Sequence, residues 1–286
     1  MLIVRGKYRI TSLSTIILPP ISSKVIKYLV KKYGDESLSK LISSKGMFKP
    51  LQISPLFIGS KPLISRGIPL PPIKPNSVLS AIITISCNDI DPAVMELNGV
   101  FKTPYGNLAI ELIELETVVM NKLGETLSRS KFFKIEFLTP TVLTAKYMIP
   151  PPLKVKSRKL PERHRLVPQP SFIFSYLLRL WNSIAEPSER IPGPAAGDWE
   201  AYKLGRLADV TLVEIDYKLR PETVNIGRDS KGRLRRVRGF TGWVIYECLS
   251  KKLLPIYRKL LGLANYLGIG RSRGIGLGLV RVRAIT

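Results

Sequence analysis

The chain of 286 residues carries 45 Lys and Arg against 21 Asp and Glu, a formal net charge of +24, and 45% of it is hydrophobic. That is apolar material for one large core or two small ones, while the cationic excess points to a polyanionic partner, nucleic acid or an anionic membrane surface. No apolar run reaches membrane-spanning length, Met1-Leu-Ile-Val-Arg5 meets charge too early for a signal peptide, and no lysine-rich amphipathic tail or lipidation motif is present, so nucleic acid is favoured and no membrane partner is expected.

Taken in order, Lys7–Leu18 alternates and is β-branched, predicting a first strand ended by Pro19-Pro20. Ser22 or Ser23 can cap a helix to about Tyr33, stopped by Gly34. Its apolar stripe is Val25, Ile26, Leu29 and Val30; Lys24, Lys27, Tyr28 and Lys31 share the other side at i, i+3, i+4 and i+7. A short helix over Glu36–Ile42 leads to a basic turn, Lys45-Gly-Met-Phe-Lys49-Pro. Strands are predicted at Leu51–Ile58 and Ser77–Cys87, around a proline-rich stretch, Pro62–Pro75, that reads as exposed loop or edge. Asp91-Pro92 opens a helix to Leu97, and Gly99–Thr103 with Leu108–Val119 forms a hairpin around Pro104-Tyr-Gly106. The second half follows a similar order. It has a strand at Phe132–Phe137, a basic loop at Pro150–Pro170, helices at Ser171–Ile184 and Asp198–Ala208, strands at Thr211–Leu219 and Arg235–Leu249 about the turn Arg228–Arg233, and a helix at Leu253–Leu267. A last strand starts at Leu279. This repeated order reads as an α+β fold of two tandem ferredoxin-like (RRM-like, βαββαβ) domains, 1–125 and 126–286, the first carrying the lysine helix and the second a glycine loop.

That loop, Gly268-Ile-Gly270-Arg271-Ser-Arg273-Gly274-Ile-Gly276-Leu-Gly278, joins the last helix to the last strand. Glycine lets backbone N–H groups form a concave anion nest, and guanidinium suits phosphate geometry. Gly268, Gly270, Gly274 and Gly276, with Arg271 and Arg273 aimed outward, therefore read as a phosphate-backbone clamp. A dinucleotide site is excluded, because it needs a strand before the loop and a helix after it. Lys146, Lys154, Lys156, Arg158 and Lys159 make a second basic tract able to track phosphates. Tyr28, Tyr105 and Phe240 are candidates to stack on bases. Cys87 and Cys248 stand alone in apolar runs and read as buried thiols in a reducing, cytoplasmic setting. There is no CxxC, HExxH or acidic metal cluster, so no metal or other cofactor is expected.

The glycine loop after an apolar helix, Thr139-Pro140-Thr141 after a strand, and Gly239-Phe-Thr-Gly242-Trp243 before the last helix resemble the CRISPR-associated repeat-RNA endoribonucleases, the sixth Cas class of the RAMP superfamily. The resemblance covers essentially the whole chain. It implies tandem ferredoxin-like domains, binding of CRISPR repeat RNA in precursor transcripts, and metal-independent cutting that leaves 5′-hydroxyl and 2′,3′-cyclic phosphate ends. Many relatives place a catalytic histidine in or just after the first helix; here the single histidine is His164, between Arg163 and Arg165 in a basic loop of the other half. The sequence instead resembles a histidine-free archaeal branch in which lysine and arginine do the work. The matching positions are Lys24, Lys27, Lys49, Arg235 and Arg271.

Such cleavage needs a 2′-oxygen deprotonated, a phosphorane stabilised and a 5′-oxygen protonated. Histidine titrates near about 6.5 but free lysine near about 10.4, so a lysine base needs neighbouring cations to lower its pKa. Lys27 beside Lys24 and Lys49 fits that need; Arg235 and Arg271 are suited to hold phosphate and transition-state charge. Doing without histidine should sacrifice on the order of 10²–10⁴ in rate. A second reading stays open, a non-catalytic RNA-binding RAMP subunit of a CRISPR interference complex. Further partners consistent with these readings are the subunits of such a complex and a second copy of the chain.

Overall fold

The computed structural model describes residues 1–44, 46, 48–87, 95–127, 130–153, 164–229 and 231–285. Strand β1 (Leu2–Ser12) lies between two antiparallel neighbours, β5 (Val78–Cys87) and β7 (Gly106–Val119). Beyond β5 pair the short strands β2 (Leu51–Ile53) and β3 (Phe57–Ile58), the latter continued by β4 (Lys61–Pro62); β6 (Gly99–Thr103) covers the far side of β7. Helix α1 (Ser23–Tyr33) crosses between β1 and β2, giving the strand order β2-β5-β1-β7 of a ferredoxin-like sheet. Its stripe of Val25, Ile26, Leu29 and Val30 is buried against Val4, Tyr8 and Ile10 of β1 and Ile83 and Ile85 of β5, as the helical spacing requires. Helix α2 (Glu36–Ser43), capped by the Asp35 carboxylate accepting from the Ser37 amide, buries Leu38 and Ile42 in the same core.

The second sheet repeats the plan. Strand β8 (Phe132–Thr141) is flanked by β12 (Leu234–Cys248) and β13 (Val280–Ile285), with β11 (Leu212–Arg228) at the edge. Between them come a two-strand ribbon, β9 (Leu143–Thr144) with β10 (His164–Arg165), and helices α3 (Pro170–Ile184), α4 (Asp198–Thr211) and α5 (Leu254–Leu267). The chain is thus two tandem ferredoxin-like domains, one sheet drawn from residues 2–119 and the other from 132–285. None of the described helices is long and apolar enough to cross a membrane.

Two of the contacts that join the halves set the frame for the site. The first is α5 on the outer face of β1: Ile3 enters the core of the second half beside Met120 and Leu123, and the Arg5 guanidinium lies 4.0 Å over the Tyr266 ring and donates to the Asn265 carbonyl. Gly262 of α5 permits this approach, since a Cβ there would stand 1.9 Å from the Leu123 carbonyl oxygen. The second is the hairpin of β11 and β12, which runs past the end of β8 and reaches the first half. There Val224, Ile226 and Val237 pack with Ile21, Ile64 and Leu277. Its buried Glu222 accepts from Arg66 of the first half at 3.1 Å and from Thr241 at 3.0 Å.

Several predicted bounds move. β1 ends at Ser12 rather than Leu18; Ile16 and Leu18 are buried from an irregular segment, Ile16 by a lone bridge to Ile73, so their alternation mimics a strand. Leu51–Ile58 breaks into two strands at Ser54-Pro55. β11 continues past Leu219 through Pro221 to Arg228, which an edge strand allows because proline need not donate there. The helix expected from Asp91 to Leu97 falls largely on residues 88–94, outside the described ones.

Candidate functional site

Helix α1 is fixed at its start by Ser22, whose hydroxyl donates to the Leu63 carbonyl (2.7 Å) and accepts from the Leu56 amide (2.8 Å). With its apolar stripe seated, Lys24 and Lys27 are left half-buried and Lys31 exposed. Lys49 stands just before β2, its ammonium donating to the Ile42 carbonyl at the end of α2 (3.2 Å). Lys27 and Lys49 line one pocket with Ser272, Arg273 and Gly274 from the glycine loop. The first helix and the C-terminal loop therefore meet at the join of the two halves.

Crowding has the expected electrostatic result. The Lys27 amine is held below its ordinary value of 10.5, first by burial and then by the charges of Lys49, Lys31 and Lys24. Lys49 is lowered too, by burial and then by Lys31. Lys31, which the sequence reading placed on the stripe but not in the site, acts on both amines. Lys24 points toward the long hairpin: a Cβ built on Gly227 would stand 2.7 Å from its Nζ, and Gly227 is the cross-strand partner of Arg235. Arg235 is exposed on that hairpin. Lys24 and Arg235 thus both stand at the Gly227 end of the hairpin.

The glycine loop is built differently from the expected open nest. The Ile269 amide donates to the Gly278 carbonyl (2.8 Å), the Arg271 amide to Val142 (3.0 Å) and the Gly278 amide to Pro140 (3.0 Å). At Gly270, with φ +88°, a Cβ would stand 2.5 Å from the Val142 oxygen; at Gly278, with φ +68°, one would stand 2.1 Å from the Ile269 oxygen. Gly268, Gly270 and Gly276 are buried, packed respectively on Gly278 and Gln52, on Val142 just past β8, and on Pro55 and Ser23, so they shape the loop rather than open it to a ligand; Gly274 is half-exposed. Ser272 adopts the left-handed conformation (φ +64°, ψ +26°) between the two arginines. Arg271 is half-exposed, and its charge acts on the buried Tyr147 hydroxyl.

Arg273 is the clearest correction. It does not aim outward: it is 3% exposed, and its guanidinium donates to the carbonyls of Lys49 (2.5 Å), Leu267 (2.6 Å) and Leu51 (3.2 Å). Phe240 is likewise no stacking platform, being fully buried with its ring 4.8 Å from that of Phe137 in an edge contact. Tyr28 and Tyr105 stay half-exposed, their rings 6.3 Å apart edge to face, with the Lys32 ammonium 5.7 Å over Tyr28. Lys154, Lys156, Arg158 and Lys159 lie outside the described residues. His164 bridges to Thr144 in the ribbon, and burial lowers its pKa. Cys87 and Cys248 are both buried, and no disulfide joins them.

Missed by the sequence reading were Ser272 and Gly46, both lining the pocket. No spacing rule marks either; they are placed by the loop turn and by the segment between α2 and β2. As chemistry, the pocket offers a half-buried amine with reduced affinity for its proton beside a second lowered amine. Cations such as Lys24, Arg235 and Arg271 are of the kind that suits a phosphate-bearing ligand.

Two family models match the chain: the Cas6 N-terminal domain over residues 4–118 and the CRISPR-associated endoribonuclease Cas6 over residues 135–280. Two proteins of Saccharolobus solfataricus are similar to it along nearly their whole length. CRISPR-associated endoribonuclease Cas6 2 is 33% identical, with 98% of this chain and 96% of that protein covered. CRISPR-associated endoribonuclease Cas6 1 is 32% identical over 99% and 97%. Among solved structures, Thermus thermophilus Cas6 superposes with a TM-score of 0.64 at 18% identity, covering 98% of each chain. A Cas6 product complex gives 0.65 at 20% identity, covering 99% of this chain and 100% of the other, and both likenesses speak to the fold.

Proposed function

The chain belongs to the Cas6 family of CRISPR-associated endoribonucleases, and from that premise we propose that it cleaves CRISPR repeats in precursor transcripts at the pocket between α1 and the glycine loop. The observation that carries the assignment of the site is the meeting of Lys27 and Lys49, two amines with lowered pKa, against Ser272 and Gly274. A non-catalytic RNA-binding subunit would have no use for a lysine crowded in this way.

In the proposed reaction the ribose 2′-hydroxyl is the nucleophile. Neutral Lys27 takes its proton as the 2′-oxygen bonds to the adjacent phosphorus, and the bond from phosphorus to the 5′-oxygen breaks. The departing oxygen takes up a proton from a lysine ammonium of the same cluster, for which the lowered pKa of Lys49 fits that group. The products are a 2′,3′-cyclic phosphate and a 5′-hydroxyl, with no water consumed and no metal required. Lys24, Arg235 and Arg271 hold the phosphate and offset the charge that grows on the phosphorane; arginine suits this because it keeps its proton. A lysine base is slow beside a histidine, so the enzyme turns over slowly. Gly274 and the tract of Lys154, Lys156 and Arg158 are assigned to the RNA backbone. Two buried thiols suit the reducing cytoplasm where such transcripts are made.

The test is incubation of end-labelled repeat RNA with the protein in EDTA, followed by identification of the ends. A discrete cut with a 2′,3′-cyclic phosphate upstream and a 5′-hydroxyl downstream is expected. Loss of cutting in EDTA, or a 5′-phosphate, overturns the metal-independent route.

A further inference from the structure

We propose that Arg273 is a positioning residue, holding Lys49 in the pocket by its main chain, rather than a contact to RNA. The inference rests on the proposed catalytic role of the lysine pocket. Its basis is where the guanidinium goes. Nη2 donates to the Lys49 carbonyl at 2.5 Å, while Nη1 donates to Leu267 at the end of α5 (2.6 Å) and to Leu51 on β2 (3.2 Å). One planar fork thus ties the last turn of the C-terminal helix to the residue before β2 and to β2 itself. The cation is also 5.8 Å from the centre of the buried Tyr176 ring.

The segment it holds is also anchored by Phe48, whose ring lies 5.6 Å from that of Tyr176 and whose carbonyl accepts from the Ser183 hydroxyl, so the fork adds a tie at the next residue, Lys49. Between α2 and β2 the Pro50 carbonyl accepts from the Ser86 amide, and the Lys49 ammonium itself donates to Ile42. Lys49 reaches the pocket through its side chain, so a shift of its carbonyl moves the amine that sits beside Lys27. The fork geometry matters more than the charge: a lysine at this position brings one nitrogen where arginine brings two, and the Lys49 and Leu267 carbonyls are served by different ones. Burying an arginine is otherwise costly, and three carbonyl acceptors are what offset it.

The experiment is a double-mutant cycle on the full chain with its repeat RNA, using Arg273→Lys, Lys49→Ala and the pair. Single-turnover cleavage is read at saturating protein, and affinity is read across a salt series. Arg273→Lys should slow cleavage by about tenfold or more, since small misplacements remove that much. Affinity should stay within about twofold with the salt slope unchanged, because no phosphate contact is lost. In the Lys49→Ala background the same change should cost less than about twofold, because its effect acts through Lys49. Wild-type cleavage by Arg273→Lys, an equal loss in both backgrounds, or a shallower salt slope overturns the proposal. If Lys49→Ala alone cuts normally, the catalytic reading beneath it fails as well; if Lys49→Ala is slow but the losses add, only the positioning role fails. Should Arg273→Lys not fold by circular dichroism, Arg273→Ala is assayed with and without methylguanidinium. Rescue of cleavage that requires Lys49 supports the role, and failure of both variants to fold or to be rescued overturns it.

Discussion

Lys27 owes its chemistry to its neighbours. On an isolated helix its amine would stay charged at neutral pH; here burial and three nearby ammonium groups lower its pKa from 10.5. In the proposed reaction neutral Lys27 is the base and protonated Lys49 the acid, so the wild-type single-turnover rate should climb with pH as Lys27 loses its proton and fall again as Lys49 loses its own, a bell lying below the pH of an ordinary lysine. Lys27→Arg keeps the charge but cannot release its proton, so it should lose at least about tenfold at saturating protein and show a flatter profile. An arginine variant that cuts at the wild-type rate would make Lys27 only an electrostatic stabiliser. His164 lies in the ribbon with Thr144 and is not among the residues that line the pocket. His164→Ala should leave the cleavage rate within about twofold, a typical outcome for a side chain outside a catalytic unit; loss of cutting with RNA binding preserved would show that the proton-transfer group had been misplaced.

At the scale of elements, the join between halves depends on helix α5 lying against the segment after β7. Gly262→Ala puts a methyl 1.9 Å from the Leu123 carbonyl oxygen, so the helix must shift. The expected cost is about 1–3 kcal/mol, seen as a Tm drop of several degrees; an unchanged melt would mean the two surfaces are loosely packed. Much at this scale was legible in the sequence. The lysine stripe of α1, the hairpin about Pro104-Tyr-Gly106 and the helix before the glycine loop all stand as their periodicity predicts, because each is set by local spacing. What could not be read depends on remote partners. Nothing near Arg273 in sequence says that carbonyls of Lys49 and Leu51, more than two hundred residues away, will enclose it. The same holds for the end of β1, where Ile16 is buried by a bridge to Ile73, and for glycines whose need appears only when β8 ends against the loop.

At the scale of the whole molecule, the site exists only where two similar domains meet: the amines come from the first, while the loop and Arg235 come from the second. A chain of net charge +24 should bind repeat RNA with strong salt dependence. Arg271→Ala is expected to weaken binding and lower the salt slope by about one, whereas Arg273→Ala should leave the slope unchanged, its cation being spent on carbonyls. Equal changes in slope for the two would contradict the division of labour within the glycine loop. The central claim is that these cations act on an internal nucleophile of the RNA. The direct measurement uses a repeat carrying a single 2′-deoxyribose on the 5′ side of the scissile phosphate, the position having been mapped on the native repeat. The account predicts binding at the native affinity and no cleavage at that position under single-turnover conditions; cutting there at a rate comparable to the all-ribose repeat would contradict it.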